Sequence, residues 1–233
     1  MSLNGRYALG ILLTFILLGI VMLYVFPAIH FISEGTATPT ATFVYSRIIL
    51  WIVLLSVILY SFLIEKQPFL LWQDIAYSFF FYLKKVFSLY LICAVGGAFL
   101  NFLIRFFIHE SMSSRLVQLS EIFKNNYGLI IFTCLTAGVV EELLMRGYIQ
   151  PRVEKIYKNR YAGIVVSAVL FGILHSAYGT IGQVVIPCFI GIVFALFYKI
   201  YSNIKILILC HIMYDFVSLM MMNILDLKHL SVF

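Results

Sequence analysis

Seven apolar segments, each long enough to cross a lipid bilayer as a helix, constrain the fold of this chain more than any other feature. They lie at 8–29, 44–64, 86–108, 128–148, 161–178, 184–201 and 205–224. A helix needs roughly 20 apolar residues to cross ~30 Å of hydrocarbon. With 63% hydrophobic and 11% charged residues, the composition excludes a water-soluble domain and a disordered chain. We expect an all-α, polytopic transmembrane helix bundle.

Two further segments are expected at the membrane surface. The weaker apolar run 69–83 contains Trp72, Asp74 and several aromatic residues. Its length and composition predict a helix in the membrane interface, and an eighth span results if this helix dips into the bilayer. Segment 110–126 predicts an amphipathic connector on the outer surface. Its apolar residues recur at helical spacing: Met112, Leu116, Leu119 and Phe123.

The distribution of basic residues predicts the orientation, because cytoplasmic loops carry an excess of lysine and arginine. A cytoplasmic N-terminus places ten basic residues in cytoplasmic segments: Arg6, Lys66, Lys84, Lys85, Arg152, Lys155, Lys158, Arg160, Lys199 and Lys205. The outer segments then hold four: Arg47, Arg115, Lys124 and Lys228. We therefore read the net charge of +6 as a sign of topology and expect no nucleic-acid partner. The small size and short loops favour a bacterial inner membrane.

Ionisable residues inside the predicted spans are the exceptions that point to function. A charged side chain at the bilayer centre costs about 2.5–3.5 kcal/mol, which the fold alone does not require. Three clusters stand out: Glu141-Glu142-x-x-x-Arg146, Phe171-x-x-x-His175 and His211-x-x-x-Asp215. They reach a common depth if the fourth helix extends beyond Gly147 and the fifth enters the lipid near Gly163.

Helical spacing gives each cluster a chemical interpretation. Residues four apart share a helix face, so Glu142 can pair with Arg146, and Asp215 can orient or stabilise His211. Glu141 points ~100° away around the helix and lacks that arginine partner, which suits it to take a proton from water. Taken singly, each cluster is also compatible with a polar contact that only stabilises the bundle.

With its motifs in this order, segment 127–220 resembles the CPBP family. This family comprises CAAX proteases and bacteriocin-processing proteins and is also called the Abi or CAAX-protease self-immunity family. It is marked by EExxxR, FxxxH and HxxxN/D motifs on membrane helices. We accordingly divide the chain into N-terminal spans plus interfacial helices (1–126), a CPBP-type catalytic core (127–224) and a short tail (225–233).

The resemblance implies an intramembrane endopeptidase that hydrolyses a peptide bond of a membrane-associated peptide or protein. It assigns Glu141 as the general base that activates water and His175 as the residue that holds this water or shuttles its proton. Glu142 and Arg146 would support the site by pairing.

The resemblance assigns oxyanion stabilisation to His211 and residue 215. Position 215 departs from family members that carry asparagine there, and an ionised aspartate cannot donate a hydrogen bond. We expect Asp215 to orient a protonated His211, which would then be the donor.

The sequence leaves two questions open. Glu141, His175 and His211 could form a zinc site with one open position, or the enzyme could be a metal-free glutamate protease. No other cofactor is expected. The protein could also be a non-catalytic immunity or scaffold protein, or a proton-coupled transporter with Glu141 and His175 as a relay. Transporters usually carry inverted repeats or broken helices, for which Pro187 and Gly191 are the only hint.

Overall fold

A computed structural model describes residues 1–33, 35–109 and 113–224, which form helices joined by short connections. In chain order these are α1 (Leu3–Ile32), α2 (Pro39–Glu65), α3 (Phe79–Ile108), α4 (Ser114–Phe123), α5 (Tyr127–Tyr157), α6 (Arg160–Leu174), α7 (Gly182–Tyr201) and α8 (Ile204–Ile224). A 3₁₀ turn (His175–Tyr178) extends α6. The predicted tail 225–233 and Met112 of the predicted connector lie outside the described residues.

Every helix except α4 belongs to a segment long and apolar enough to cross a membrane, which gives seven candidate spans in the described part of the chain. The predicted all-α helix bundle is confirmed, and the protein is an integral, multi-pass membrane protein. The predicted amphipathic connector is confirmed as a helix at Ser114–Phe123. The cytoplasmic position of the N-terminus stays a prediction.

Short polar side chains define where most helices begin. Each of these residues accepts a hydrogen bond from a backbone N–H of the first turn: Ser2, Thr38, Ser78, Ser113, Asn126, Asn159 and Asn203. Such caps satisfy donors that a helix leaves unpaired, and each contributes about 1 kcal/mol. In a chain with so few polar residues, these caps separate one apolar segment from the next.

The expectation of an interfacial helix at 69–83 is wrong. Residues 66–78 form an irregular loop, and α3 begins at Phe79. Two aromatic residues of this run pack against the bundle: Phe69 is buried, and the ring of Trp72 lies 4.9 Å from the ring of Tyr198, whereas Phe79 and Phe80 are exposed. Asp74 Oδ1 accepts a hydrogen bond from Ile204 N at 3.0 Å, at the start of α8. The pattern therefore reflects a loop that closes one end of the bundle.

Helix α5 is the most buried of the seven spans, and it packs against α1, α2, α4, α6, α7 and α8. It continues past Gly147 to Tyr157, as expected if the three clusters lie at a common depth in the membrane. Two stretches of α5, Ala137–Glu141 and Leu143–Ile149, have π-helical turns. Such turns are rare in proteins as a whole, but many of those known lie at functional sites.

A glycine lets α5 approach α8 closely. A Cβ atom at Gly138 would lie 2.5 Å from Ile212 Cγ1 and 3.1 Å from Ile208 O. Because any larger residue would push the two helices apart, Gly138 allows the carboxylates one turn further along α5 to reach the imidazole on α8.

Candidate active site

The six residues predicted from the motifs converge inside the bundle from three different helices. They lie on α5 (Glu141, Glu142 and Arg146), directly after α6 (His175) and on α8 (His211 and Asp215). Residues from all three helices line two adjoining cavities in the interior. The structure therefore places the predicted residues in one site.

Glu142 connects α8 to α5 through a buried contact. Its Oε1 atom accepts a hydrogen bond from Arg146 Nη1 at 2.9 Å, which is the pairing predicted from their spacing. The same oxygen lies 2.8 Å from Nδ1 of His211. Because a carboxylate accepts hydrogen bonds, this geometry assigns a proton to His211 Nδ1. Glu142 therefore fixes the orientation of the His211 ring.

The other ring nitrogen of His211 faces two more carboxylates. Nε2 lies 3.6 Å from Asp215 Oδ2 and 3.9 Å from Glu141 Oε2. Both distances exceed the usual hydrogen-bond length. Asp215 is therefore a neighbour of His211 at the spacing expected from the sequence, but the hydrogen bond that orients the ring is the one that His211 Nδ1 donates to Glu142.

His175 stands at the transition from α6 to the 3₁₀ turn that follows. Its Nδ1 atom lies 2.8 Å from the carbonyl oxygen of Phe171. A carbonyl only accepts, so Nδ1 is the donor and, in the neutral ring, Nε2 carries the lone pair. The ring also packs at 4.6 Å against Phe171 and at 6.1 Å against Tyr178. His175 is thus held through Nδ1, and Nε2 has no hydrogen-bond partner among the described residues.

Two phenylalanines pack around the charged groups. The ring of Phe171 lies 4.6 Å from the Arg146 guanidinium and 6.2 Å, edge-on, from the ring of His211. Phe194 on α7 is fully buried and lies 5.5 Å from Arg146 and 5.9 Å from His211. Aromatic faces attract a guanidinium, so these rings stabilise the buried arginine without offering it a competing anion.

The catalytic candidates stand where the two cavities meet. A larger cavity of about 580 Å³ lies between α3, α7 and α8, and a smaller one of about 250 Å³ lies between α2, α4, α5 and α8. His175, His211 and Asp215 line both. Glu141 lines the smaller cavity, and its side chain is 21% exposed, whereas that of Glu142 is 0% exposed. Of the two adjacent carboxylates, Glu141 is the one that water can reach.

Sequence reasoning did not identify several residues that line these cavities or contact the site. Phe194, Arg47 and Gln183 are examples. One phenylalanine among 22 has no spacing that distinguishes it. Arg47 belongs to the second predicted span, far from the motifs in sequence, and only the packing of α2 against α5 brings it to the site.

The zinc site expected from the resemblance would use Glu141, His175 and His211. Within residues 1–33, 35–109 and 113–224, no group of three His, Cys, Asp or Glu side chains is placed to hold a metal ion. Nδ1 of His211 contacts Glu142 and Nδ1 of His175 contacts a backbone carbonyl, so either ring could bind a metal only through Nε2. The zinc set Glu141, His175 and His211 stays a prediction from the resemblance.

Comparison with known proteins bears on the same part of the chain. Residues 123–217 match the family model described as "Type II CAAX prenyl endopeptidase Rce1-like". No curated protein and no solved structure gives a significant match. The matched segment contains all six residues predicted from the motifs, and it supports the expected relation to CAAX proteases. Residues 123–217 are thus similar to an Rce1-like type II CAAX prenyl endopeptidase domain, which is consistent with the CPBP family of CAAX proteases.

Proposed function

We propose that this protein hydrolyses a peptide bond of a membrane-associated peptide or protein with a water molecule activated by Glu141. The main support is the different exposure of the two adjacent glutamates. Glu141 is a carboxylate inside the bundle that is exposed to a cavity, while its neighbour Glu142 is fully buried and paired with Arg146. The two residues therefore have separate tasks, and the one beside the imidazoles is open to water.

The first step is the activation of water. A water molecule in the smaller cavity would donate one proton to Glu141 and a second hydrogen bond to the free Nε2 of His175. The hydroxide that forms attacks the carbonyl carbon of the substrate, and the carbonyl oxygen becomes negatively charged. The polar groups at this junction also keep water in a region that lipid would otherwise keep dry.

The second step is the stabilisation of the oxyanion by His211. Each nitrogen of this ring faces a carboxylate oxygen, and an imidazole with two N–H groups is a cation that donates from both sides. Nδ1–H is held by Glu142, so Nε2–H is directed into the cavity and can donate to the oxyanion. Asp215 lies beside Nε2 and balances the positive charge.

The third step is the collapse of the tetrahedral intermediate. Glu141 returns its proton to the nitrogen of the leaving group, the carbon–nitrogen bond breaks, and an amine and a carboxylic acid result. The oxygen of the water remains in the new acid. No step requires a metal, and Glu142 and Arg146 act only by holding His211.

Comparative peptidomics tests the proposal. Cells that carry the wild-type protein are compared with cells that carry Glu141→Gln, which keeps the size of the side chain. The matched control is Glu154→Gln on the same helix, where the glutamate pairs with Lys199 away from the site. Peptides that disappear in Glu141→Gln and persist in Glu154→Gln are cleavage products, and their sequences identify the substrates. Equal peptide pools in all three strains would contradict the proposal.

The same variants separate the competing functions. A scaffold or immunity function would survive Glu141→Gln, because this substitution leaves the folded bundle intact. Proton-coupled transport would be lost with Glu141→Gln without any change in the peptide pool. Assaying purified protein with a chelator, followed by added Zn²⁺, distinguishes the zinc site from the metal-free mechanism.

A further inference from the structure

The active site is open toward one end of the bundle and closed toward the other. We propose that the open end faces the outside of the cell, so that the enzyme cleaves a peptide segment at the outer surface of the membrane. The substrate class rests on the proposed function, whereas the direction of access follows from the cavities and the charges. We define the closed end by the first residues of α1, α3, α6 and α8 and the open end by their last residues.

Both cavities lie in the half of the bundle near the open end. On α3 the larger cavity extends to Asn101 and Arg105, and on α8 it extends to Met221. At 1.5 Å per residue, Arg105 stands about 39 Å along α3 from its start at Phe79. Gln183, in the first turn of α7, lines both cavities. Because α7 runs toward the closed end, this residue also marks the open end.

A buried ion pair closes the opposite end. Arg152 Nη2 lies 2.6 Å from Glu65 Oε2, and both side chains are fully buried. Arg152 also donates to the carbonyl oxygens of Phe69 and Tyr148, and Tyr148 donates to Glu65 at 2.6 Å. We call Glu65, Phe69, Tyr148 and Arg152 the plug. None of these described side chains lines either cavity, so the plug separates the site from the closed end.

Charge assigns the closed end to the cytoplasm. The basic residues at or near this end are Arg6, Lys66, Lys84, Lys85, Arg152, Lys155, Lys158, Arg160, Lys199 and Lys205. In the described part of the chain, those nearer the open end are Arg47, Arg105, Arg115 and Lys124. Cytoplasmic segments are enriched in such residues. The plugged end is therefore cytoplasmic, and the cavities open to the outside.

Helix α4 places this opening at the level of the membrane surface. Ser113 donates to the carbonyl oxygen of Tyr178 at 2.6 Å, and Arg115 donates to that of Ala177. Leu116 lines both cavities. An amphipathic helix of this kind lies in the interface between lipid and water. The opening beneath it suits a peptide that is anchored in, or lies on, the outer leaflet.

The walls of the larger cavity indicate what the substrate presents to the site. Ala94, Ala98, Ile186 and Ile190 are apolar, and the polar side chains of Asn101 and Gln183 stand toward the open end. Apolar walls that lead to a few polar groups select apolar side chains beside the scissile bond. The expected substrate is therefore an outer-surface peptide with apolar residues next to the cleaved bond.

Cysteine accessibility in intact cells tests the direction of access without any need for activity. Ser218→Cys and Asn101→Cys each place a thiol on the cavity wall, and Lys84→Cys places one at the closed end. The variants are made with Cys188→Ala, since the other native cysteines are buried. We expect a membrane-impermeant charged maleimide to label the two cavity cysteines in intact cells and Lys84→Cys only after permeabilisation.

The opposite labelling pattern would overturn the inference, as would cavity cysteines that react only after permeabilisation. The use of two cavity positions guards against one variant failing to fold. A second readout links access to catalysis: the impermeant reagent should abolish peptide cleavage by intact cells that carry Ser218→Cys and leave Lys84→Cys cells unaffected. Outside labelling without any cleavage would refute the proposed function and leave the direction of access intact.

Discussion

Replacing Arg152 by leucine should lower the free energy of unfolding by about 3–5 kcal/mol, the usual effect of removing one partner from a buried ion pair. Arg152 donates to Glu65 at 2.6–3.1 Å, to Ser61 Oγ at 3.0 Å and to the carbonyl oxygen of Phe69 at 3.0 Å. Leucine removes all of these contacts. It also leaves the Glu65 carboxylate buried with the hydroxyl of Tyr148 as its remaining close donor among the described residues.

The matched control is Lys199→Leu. Lys199 pairs with Glu154 at 2.6 Å, the same short distance, but the two side chains are 31% and 23% exposed. Water solvates both charges once the pair is broken, so the expected loss is about 0–1 kcal/mol. The two variants separate the effect of burial from the effect of the ion pair itself.

Thermal unfolding of purified protein in detergent measures the difference. At about 2–4 °C per kcal/mol for a chain of this size, Arg152→Leu should lower Tm by about 6–20 °C, and Lys199→Leu by no more than about 4 °C. The double variant Glu65→Leu with Arg152→Leu should recover much of the loss, because no uncompensated charge remains. Equal Tm values for Arg152→Leu and Lys199→Leu would refute the reasoning.

Two further predictions concern the site. His211→Gln should lower kcat by about 10²–10³-fold with little change in KM, because it removes the proposed oxyanion donor; a steady-state assay with an identified substrate measures this, and an unchanged kcat would contradict the role. Gly138→Ala should reduce activity and should lower the free energy of unfolding by about 1–3 kcal/mol, because its methyl group would meet α8. Gly128→Ala, where the methyl group would meet no atom within 4 Å among the described residues, should leave activity unchanged, and equal effects of the two substitutions would contradict the close approach of the helices.

The sequence predicts well those features that depend on one helix at a time. Apolar length identifies seven spans, and spacing within a helix predicts the ion pair of Glu142 with Arg146, which the structure confirms. The separation of Glu141 from that pair also follows from the angle between neighbouring residues. These features need no knowledge of how the helices pack.

Features that depend on packing between helices could not be predicted. The hydrogen bond that His211 donates to Glu142 joins α8 to α5, whereas spacing within α8 favoured Asp215 as the orienting partner. Only the close approach at Gly138 brings the two groups together. The interfacial helix predicted at 69–83 was wrong for a related reason, because the same aromatic residues suit a membrane interface and a loop that closes one end of a bundle.

The most direct test of the central claim is the cleavage rate of purified Glu141→Gln on a peptide identified in cells, with Glu154→Gln beside it. If Glu141 takes the proton from the attacking water, kcat/KM falls by at least about 100-fold in Glu141→Gln. The Tm of both variants and the cleavage rate of Glu154→Gln stay at the wild-type values. A Glu141→Gln protein that cleaves within a few fold of the wild-type rate would contradict the claim.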